Sequence, residues 1–171
     1  MIDWDRLLDE HGPMVWRTAY RLLGRAEDVQ DCLQEVFLAA LQTSRRTRVR
    51  NWPALLRRLA TTRAIDRLRR RVRDRRLGQD GVEMDSLAHE RSGPAEAAEA
   101  EELAARLRAA LARLPARQAE VFALRFFEQM DNREIAEALA LSANAVGVLL
   151  HKARRRLREL LDEPDRGRAS Q

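Results

Sequence analysis

Basic and polar side chains near the C-terminus have the composition of a nucleic-acid contact surface. Projected on a helix at about 100° per residue, they share one side of it, which consists of Asn144, Val148, His151 and Arg155, bordered by Gly147, Lys152, Arg154 and Arg158. Guanidinium and ammonium groups bind phosphate oxygens, whereas amide and imidazole groups can read base edges in the major groove. The spacing therefore predicts that this helix binds duplex DNA, with base contacts in its first turns and phosphate contacts in its later turns.

The elements that position this face form a helix-turn-helix over residues 131–161. The opposite side of the DNA-facing helix is apolar and consists of Val146, Leu149, Leu150, Ala153, Leu157 and Leu160. Asp131 and Ser142 are residues of the types that cap helix N-termini, and they precede a short helix over 132–139 and the longer DNA-facing helix. The connection at residues 140–141 is tight. Short helix pairs also occur as plain packing units, and that alternative stays open at this point.

A second basic cluster lies in a helix expected to begin after the cap residue Asn51 and to end near Leu77. Its apolar face changes side at residues 61–63, which predicts that its two halves pack against different elements. Opposite the second apolar stripe lie Arg63, Asp66, Arg67, Arg70 and Arg73. These guanidinium groups suffice to contact several phosphates. Residues 43–50 before the helix form a basic loop that we expect to be ordered only by a ligand.

The predicted helix over residues 26–41 carries an acidic face with an exposed leucine. Its apolar stripe includes Val29, Cys32 and Val36, so the lone cysteine is expected in the core. The opposite side and its flanks consist of Glu27, Asp28, Asp31, Gln34, Glu35 and Leu38. An acidic surface bearing a leucine suits a protein partner. Composition alone fits a solvated helix face equally well.

Composition indicates an all-α fold of two small helical domains joined by a flexible acidic linker. The chain has 171 residues, 35% of them charged, with a net charge of +5. Residues 1–78 carry 18 Arg against 10 acids, residues 79–104 carry one Arg against 8 acids, and residues 105–171 carry 13 basic residues against 9 acids. Two basic modules suggest a polyanion partner. We expect the first domain over 1–77, a linker over 78–95, the helix-turn-helix domain over 96–163 and a polar tail over 164–171.

Several classes of function are disfavoured. No phosphate-cradling glycine-rich loop or zinc-ligand spacing is present, and His11, His89 and His151 are far apart in the sequence, so we expect no enzyme, catalytic residue, cofactor or metal. The lack of a signal sequence and of a long apolar run predicts a cytoplasmic protein without a membrane span. Within the first domain, Gly12-Pro13 predicts a helix break.

The quoted segments resemble the extracytoplasmic-function subgroup of bacterial sigma factors, the dissociable subunits that direct RNA polymerase to promoters. Residues 28–37 are similar to the segment that docks on the clamp coiled coil of the largest polymerase subunit. Residues 51–71 are similar to the segment that melts and reads the minus-ten element, and residues 43–50 occupy the place of the loop that holds a flipped base. The segment from Leu114-Pro115 onward, with Glu134-Ile135-Ala136 and residues 153–158, is similar to the domain that binds the minus-thirty-five element as duplex.

The resemblance implies three sets of site residues. Core polymerase would be bound by Asp28, Asp31, Gln34, Glu35 and Leu38. The single-stranded minus-ten element would be bound by Trp52, Arg58, Thr62, Arg63, Asp66, Arg67, Arg70 and Arg73. Duplex DNA would be bound by Ser142, Asn144, Val148, His151, Lys152, Arg154, Arg155 and Arg158. The implied partners are core RNA polymerase at its clamp coiled coil and flap region, promoter DNA and an anti-sigma factor.

The sequence departs from the resembled pattern at two places. Leu55, Arg57 and Thr62 stand where the family has an aromatic-rich stretch and an asparagine, so melting is expected to rely more on arginine and on Trp52. Gly147 and Leu149 replace basic residues of the recognition helix, which shifts the expected phosphate contacts toward later positions. The alternative function is a helix-turn-helix regulator that never enters a polymerase holoenzyme.

Overall fold

The chain folds into helices throughout the part that the structure describes. The computed structural model describes residues 2–76 and 94–162, which form seven helices and no strand. The helices are α1 (Trp4–Leu23), α2 (Ala26–Arg46), α3 (Trp52–Arg76), α4 (Pro94–Arg113), α5 (Ala116–Phe126), α6 (Asn132–Leu139) and α7 (Ala143–Asp162). The all-α prediction is confirmed. The predicted tail and most of the predicted linker lie outside the described residues, and residues 94–95 of that linker already belong to α4.

Helix α1 is continuous, so the predicted break at Gly12-Pro13 is wrong. Asp3 caps its N-terminus, and Gly24, with φ of 69°, ends it in the left-handed conformation. Pro13 lies inside the helix with an exposed side chain. Proline inside a helix costs about 3 kcal/mol. Complete burial of Val15, Ala19 and Leu22 along one face offsets that cost.

Helix α2 ends at Arg46, five residues beyond the predicted end at residue 41, so the basic loop is shorter than expected. The Thr43 hydroxyl donates to the Ala39 carbonyl at 2.8 Å, and the Ser44 hydroxyl donates to the Leu41 carbonyl at 2.8 Å. Both hydroxyls thus find acceptors within the helix, which lets these polar residues continue α2 instead of beginning a loop. The predicted loop over 43–50 was therefore wrong for residues 43–46, and only residues 47–51 connect α2 to α3.

Helix α3 is the element that joins the two halves of the described chain. The Asn51 side chain accepts a hydrogen bond from the Ala54 N–H at 3.0 Å, which confirms the predicted cap. Its Leu56, Ala60, Ile65 and Leu68 are buried, and α3 packs against α1 and α2 as well as against α4, α5 and α6. No single helix among the described residues is long and apolar enough to cross a membrane.

Candidate nucleic-acid interface

The helix-turn-helix is built by two capped helices and one left-handed residue. The Asp131 carboxylate accepts hydrogen bonds from the N–H groups of Arg133 and Glu134, both at 2.8 Å, and the Glu134 carboxylate accepts from the Asp131 N–H at 2.7 Å. Ala140 has φ of 54° and ends α6. The Ser142 hydroxyl accepts from the Ala145 N–H at 3.1 Å and begins α7. Both predicted caps are confirmed, and the connection between the helices is as tight as predicted.

Helix α7 separates its apolar side from its polar side as the sequence predicted. Val146, Leu150, Ala153, Leu157 and Leu160 are buried, while Leu149 is half-buried. The side chains exposed on the other faces include Asn144, Val148, His151, Lys152, Arg154, Arg155 and Arg158. Val148 is 46% exposed, so its apolar side chain is open to a ligand among these polar neighbours. Ser142 is exposed as well, but its hydroxyl is engaged as a cap.

Three intramolecular contacts orient arginines of α7, one of which is the Arg156–Glu159 ion pair at 2.9 Å. The Arg154 guanidinium lies 5.0 Å from the ring centroid of the half-exposed Phe126, a cation–π contact. The Arg155 guanidinium lies 3.8 Å from the Glu159 carboxylate, where both side chains are at least half exposed. Exposed pairs of this kind are worth about 0–1 kcal/mol. An exposed cation–π contact contributes about 0.5–1 kcal/mol, so a phosphate can compete with Phe126 for Arg154 as well as with Glu159 for Arg155.

The predicted minus-ten residues of α3 differ in how far they reach solvent. Arg70 and Arg73 are exposed, and the remaining side chains, at Trp52, Arg58, Thr62, Arg63, Asp66 and Arg67, are half-buried. The Trp52 ring packs edge-on against Trp4 with centroids 5.7 Å apart. Part of the Trp52 surface therefore belongs to the hydrophobic cluster of α1 and α3, and the side chain is half-buried.

Arg67 is committed to the acidic face of α2. It donates to Glu35 at 2.6 Å and to Asp31 at 3.4 Å, and Arg71 donates to Asp28 at 2.9 Å. Burial lowers the pKa of Arg67, but its hydrogen bond to Glu35 and the nearby carboxylate charges raise that pKa overall. Arg67 thus links the predicted polymerase-binding and DNA-binding surfaces. The sequence offered one signal that was missed. Arg67 and Arg71 lie one turn apart on α3, and the acids that they meet on α2, Asp28, Asp31 and Glu35, are also spaced by three and four residues.

The acidic face of α2 keeps an open centre beside these ion pairs. Asp31 and Gln34 are exposed, and Leu38 is 58% exposed although it lies on a helix whose other side is buried. Cys32 is fully buried on that other side, as predicted, and burial raises the pKa of its thiol to about 12. Among the described residues no group of His, Cys, Asp or Glu side chains is arranged to hold a metal ion.

Family models and relatives match both halves of the chain. The family model for Sigma-70 region 2 matches residues 7–74, and that for Sigma-70 region 4 matches residues 104–157. The ECF RNA polymerase sigma factor SigE of Mycolicibacterium smegmatis is 30% identical over 163 residues, which is 94% of this chain and 62% of SigE. The ECF RNA polymerase sigma factor SigW of Bacillus subtilis is 26% identical over 162 residues, covering 91% of this chain and 87% of SigW.

Solved structures share the fold. CnrH, solved in complex with the cytosolic domain of CnrY, matches with a TM-score of 0.59 and 25% identity, covering 93% of this chain and 87% of CnrH. The sigma factor RpoE of Bartonella quintana, solved with the anti-sigma factor NepR, matches with a TM-score of 0.58 and 20% identity, covering 93% and 96% of the two chains. With both conserved regions matched in the order expected, the chain belongs to the extracytoplasmic-function subgroup of the bacterial sigma-70 family.

Proposed function

We propose that this chain is an alternative sigma factor, a non-enzymatic subunit that binds core RNA polymerase in the cytoplasm, recognises promoter DNA and starts transcription. One observation carries the proposal. The chain has two basic helices, α3 and α7, and they lie in the segments that match Sigma-70 region 2 and Sigma-70 region 4. The exposed leucine on α2 supplies the third surface that such a subunit needs. The match to SigE spans 62% of that relative, so the activity is inferred from these surfaces together.

Helix α7 is proposed to lie in the major groove of the minus-thirty-five element. Asn144, Val148 and His151 are exposed on its first half and would meet base edges, while Lys152, Arg154, Arg155 and Arg158 would bind phosphates. Val148 would contact a thymine methyl group, because it is an exposed apolar side chain among polar ones. The capped N-terminus of α7 adds the positive end of its helix dipole near the DNA backbone.

Helix α3 is proposed to bind the melted minus-ten strand mainly through charge. Arg70 and Arg73 are exposed, and Arg58 and Arg63 are half-buried on the same helix. Stacking on an aromatic ring contributes about 1–3 kcal/mol per base. Because Trp52 is partly covered by Trp4, guanidinium contacts are expected to supply most of the affinity. The short basic connection over residues 47–51 would hold a flipped base.

Core polymerase is proposed to bind the open part of the α2 acidic face, centred on Leu38 with Asp31 and Gln34. Binding of the polymerase flap region to the domain over residues 96–163 is proposed from family membership alone. An anti-sigma partner is proposed because the sigma factor RpoE of Bartonella quintana, which shares the fold, was solved with the anti-sigma factor NepR. The domain limits 1–77 and 96–163 remain a proposal, supported by the grouping of α1–α3 before residues 77–93 and of α4–α7 after them.

Reconstitution with core polymerase tests the proposal. Leu38→Ala should weaken polymerase binding and promoter-dependent transcription at least about 10-fold, the loss expected when a central apolar contact of an interface is removed. Leu103→Ala is the matched control, because Leu103 is 60% exposed on α4 and Leu38 is 58% exposed on α2. Asp31→Ala and Glu35→Ala are less informative, since both residues also pair with Arg67.

Two outcomes would contradict the proposal. One is equal transcription by the Leu38→Ala and Leu103→Ala proteins. The other is binding of the pure chain as a dimer to palindromic duplex DNA with no affinity for polymerase, which would indicate a conventional helix-turn-helix regulator. A promoter library transcribed by the reconstituted enzyme would identify the recognised sequence in the same experiment.

The recognition helix is tested with two single variants and one control. Val148→Ala should change preference at one base pair of the minus-thirty-five element and leave preference elsewhere unaltered. Lys152→Ala should weaken binding to all sequences and reduce the slope of log K against log salt by about 1. Arg17→Ala, an exposed charge change on α1, should do neither. An unchanged promoter profile for Val148→Ala would remove the thymine contact from the proposal.

A further inference from the structure

A cleft lined by arginines opens where α3, α4 and α7 meet. Its volume is about 740 Å³, which lies within the range of about 300–1,000 Å³ typical of small-molecule sites. The charged side chains that line it are Arg69, Arg70 and Arg73 of α3, Arg113 of α4, Arg156 of α7 and Asp66 of α3. Val72 and Ala112 add an apolar patch to the same lining.

Packing beneath the cleft holds its three helices together. Leu68 of α3, Leu111 of α4 and Leu157 of α7 are buried in one hydrophobic cluster. Away from the cleft, the Thr18 hydroxyl donates a hydrogen bond to the Glu128 carboxylate at 2.8 Å, which adds a polar contact between the same two halves of the chain. Because apolar burial drives this packing, the arginines converge although like charges repel.

The charge of the cleft is unbalanced. Asp66 is the single carboxylate among the lining residues, and it stands against five guanidinium groups. Charges of one sign in a concave site reinforce one another, because low-dielectric walls focus the field. A small anion that carries several charges would relieve this repulsion at several guanidinium groups at once.

Arg69 is the half-buried arginine of the set. Its guanidinium donates to the Leu114 carbonyl at the end of α4, which orients the side chain between α3 and α4. A guanidinium has five N–H donors, so one bond to a carbonyl does not use up its capacity to bind an anion. A donor that is already oriented loses little conformational entropy when a ligand binds.

Weak ion pairs hold two of the exposed arginines. Arg156 lies 2.9 Å from Glu159, and Arg73 lies 3.7 Å from Asp74. Every side chain in these two pairs is at least 40% exposed. Pairs between exposed side chains contribute little to stability. Phosphate groups can therefore compete with both carboxylates.

The chemistry of the cleft fits an oligophosphate. Guanidinium groups stay charged and bind phosphate oxygens through parallel N–H···O bonds. A single phosphate ion meets only part of a set that is spread over three helices, whereas a chain of phosphate groups can meet several arginines together. The surfaces proposed for promoter DNA include neither Arg113 nor Arg156, so DNA binding does not account for these two.

We propose that the cleft among α3, α4 and α7 is a binding site for a small oligophosphate, either inorganic or carried by a nucleotide. The site goes beyond the proposed function and does not depend on it. One consequence does rest on the proposed function. An occupied cleft engages Arg70 and Arg73, which are also assigned to the minus-ten strand, so oligophosphate and that strand should compete.

Calorimetric titration of the full chain, without divalent cations, measures the site directly. Tripolyphosphate should bind at least about 10-fold more tightly than orthophosphate, because it reaches more than one guanidinium group. At about 100 times its Kd it should raise Tm by about 5–11 °C. Adenosine triphosphate distinguishes the two sources. Equal affinity for both compounds shows that the phosphate chain alone is recognised, and tighter binding of the nucleotide places its nucleoside against Val72 and Ala112.

A pair of neutral substitutions tests whether the anion lies in the cleft. The cleft variant, with Arg113→Gln and Arg156→Gln, should bind tripolyphosphate at least about 10-fold more weakly than the parent, since it loses charged hydrogen bonds. The control variant carries Arg17→Gln and Arg133→Gln, which remove two exposed arginines that do not line the cleft. A protein with Arg113→Lys and Arg156→Lys keeps both charges without the bidentate fork and should bind with intermediate affinity.

Displacement measures the consequence for strand binding. Tripolyphosphate should displace a labelled single-stranded minus-ten oligonucleotide from the parent and from the control variant. The cleft variant should require about 10-fold more of it, because its affinity for the anion is lower by that factor.

Three results would overturn the inference. One is equal affinity of the cleft and control variants for tripolyphosphate, and another is equal affinity of the parent for tripolyphosphate and orthophosphate. The third is binding of the oligonucleotide, weakened in the cleft variant, without any binding of tripolyphosphate, which would assign the cleft to nucleic acid. Failure of the parent to bind the oligonucleotide would count against the proposed function alone, because the calorimetric titrations contain no DNA.

Discussion

The capping box of α6 gives a stability prediction whose size can be worked out from the structure. Asp131→Ala removes the acceptor of two N–H groups, those of Arg133 and Glu134, both held at 2.8 Å. Loss of such a cap costs about 1 kcal/mol, and loss of a negative charge at a helix N-terminus adds about 0.5 kcal/mol. The free energy of unfolding should therefore fall by about 1.5 kcal/mol.

Thermal and urea denaturation of the full chain measure this change. For a chain of this size, 1 kcal/mol corresponds to about 2–4 °C in Tm, so Asp131→Ala should melt about 3–6 °C lower. Asp131→Ser should stay within about 0.5 kcal/mol of the parent, because serine caps equally well. Asp9→Ala, an exposed carboxylate within α1, is the control. If Asp131→Ala and Asp9→Ala unfold at the same urea concentration, the capping box contributes nothing and the reasoning is refuted.

Three further changes test the interior and the turn. Thr61 is fully buried and its hydroxyl has no hydrogen-bond partner among the described residues. Thr61→Val should therefore raise the free energy of unfolding by about 1 kcal/mol and raise the urea midpoint. A lower midpoint would contradict this. Ala140 has φ of 54°. Ala140→Gly should raise the free energy of unfolding by about 0.5 kcal/mol, because the relief of left-handed strain exceeds the added entropy of the unfolded chain. A lower Tm would refute this. The folded pKa of Cys32, about 12, exceeds the ordinary 9.0, so its contribution to stability is complete below pH 9 and is lost as pH rises from 9 toward 12. Urea titrations at pH 8 and pH 10 should show that loss in the parent and not in Cys32→Ala, and parallel losses in both would contradict it.

Local patterns in the sequence were sufficient to predict three of the helix caps, the apolar face of α7 and the helix-turn-helix. Asp131, Ser142 and Asn51 act as caps, and α7 buries the stripe containing Val146 and Leu157. Caps depend on hydrogen bonds between a side chain and backbone groups a few residues away, and apolar faces depend on the helical repeat. Both can therefore be predicted without knowledge of the fold. Residue type and helical spacing likewise predicted a basic face on α7 and an acidic face on α2.

Features that depend on distant parts of the chain were decided by tertiary structure. Helix α1 continues through Pro13 because its other face is buried, and burial there is not visible from the dipeptide Gly12-Pro13. Arg67 was predicted to bind DNA, but it is held by Glu35, which lies 32 positions earlier in the chain.

The predicted helix-turn-helix and basic α3 are both present, but the sequence treated their domains as separate units. Thr18 and Glu128 are 110 positions apart, and no local pattern relates them. Hydrophobic burial is non-directional, so an apolar stripe on α3 does not specify which helix covers it. The sequence by itself determined which faces are basic, acidic or apolar, while only the tertiary structure decided which of those faces contact each other, because that choice depends on shape and on charge pairs formed across the fold.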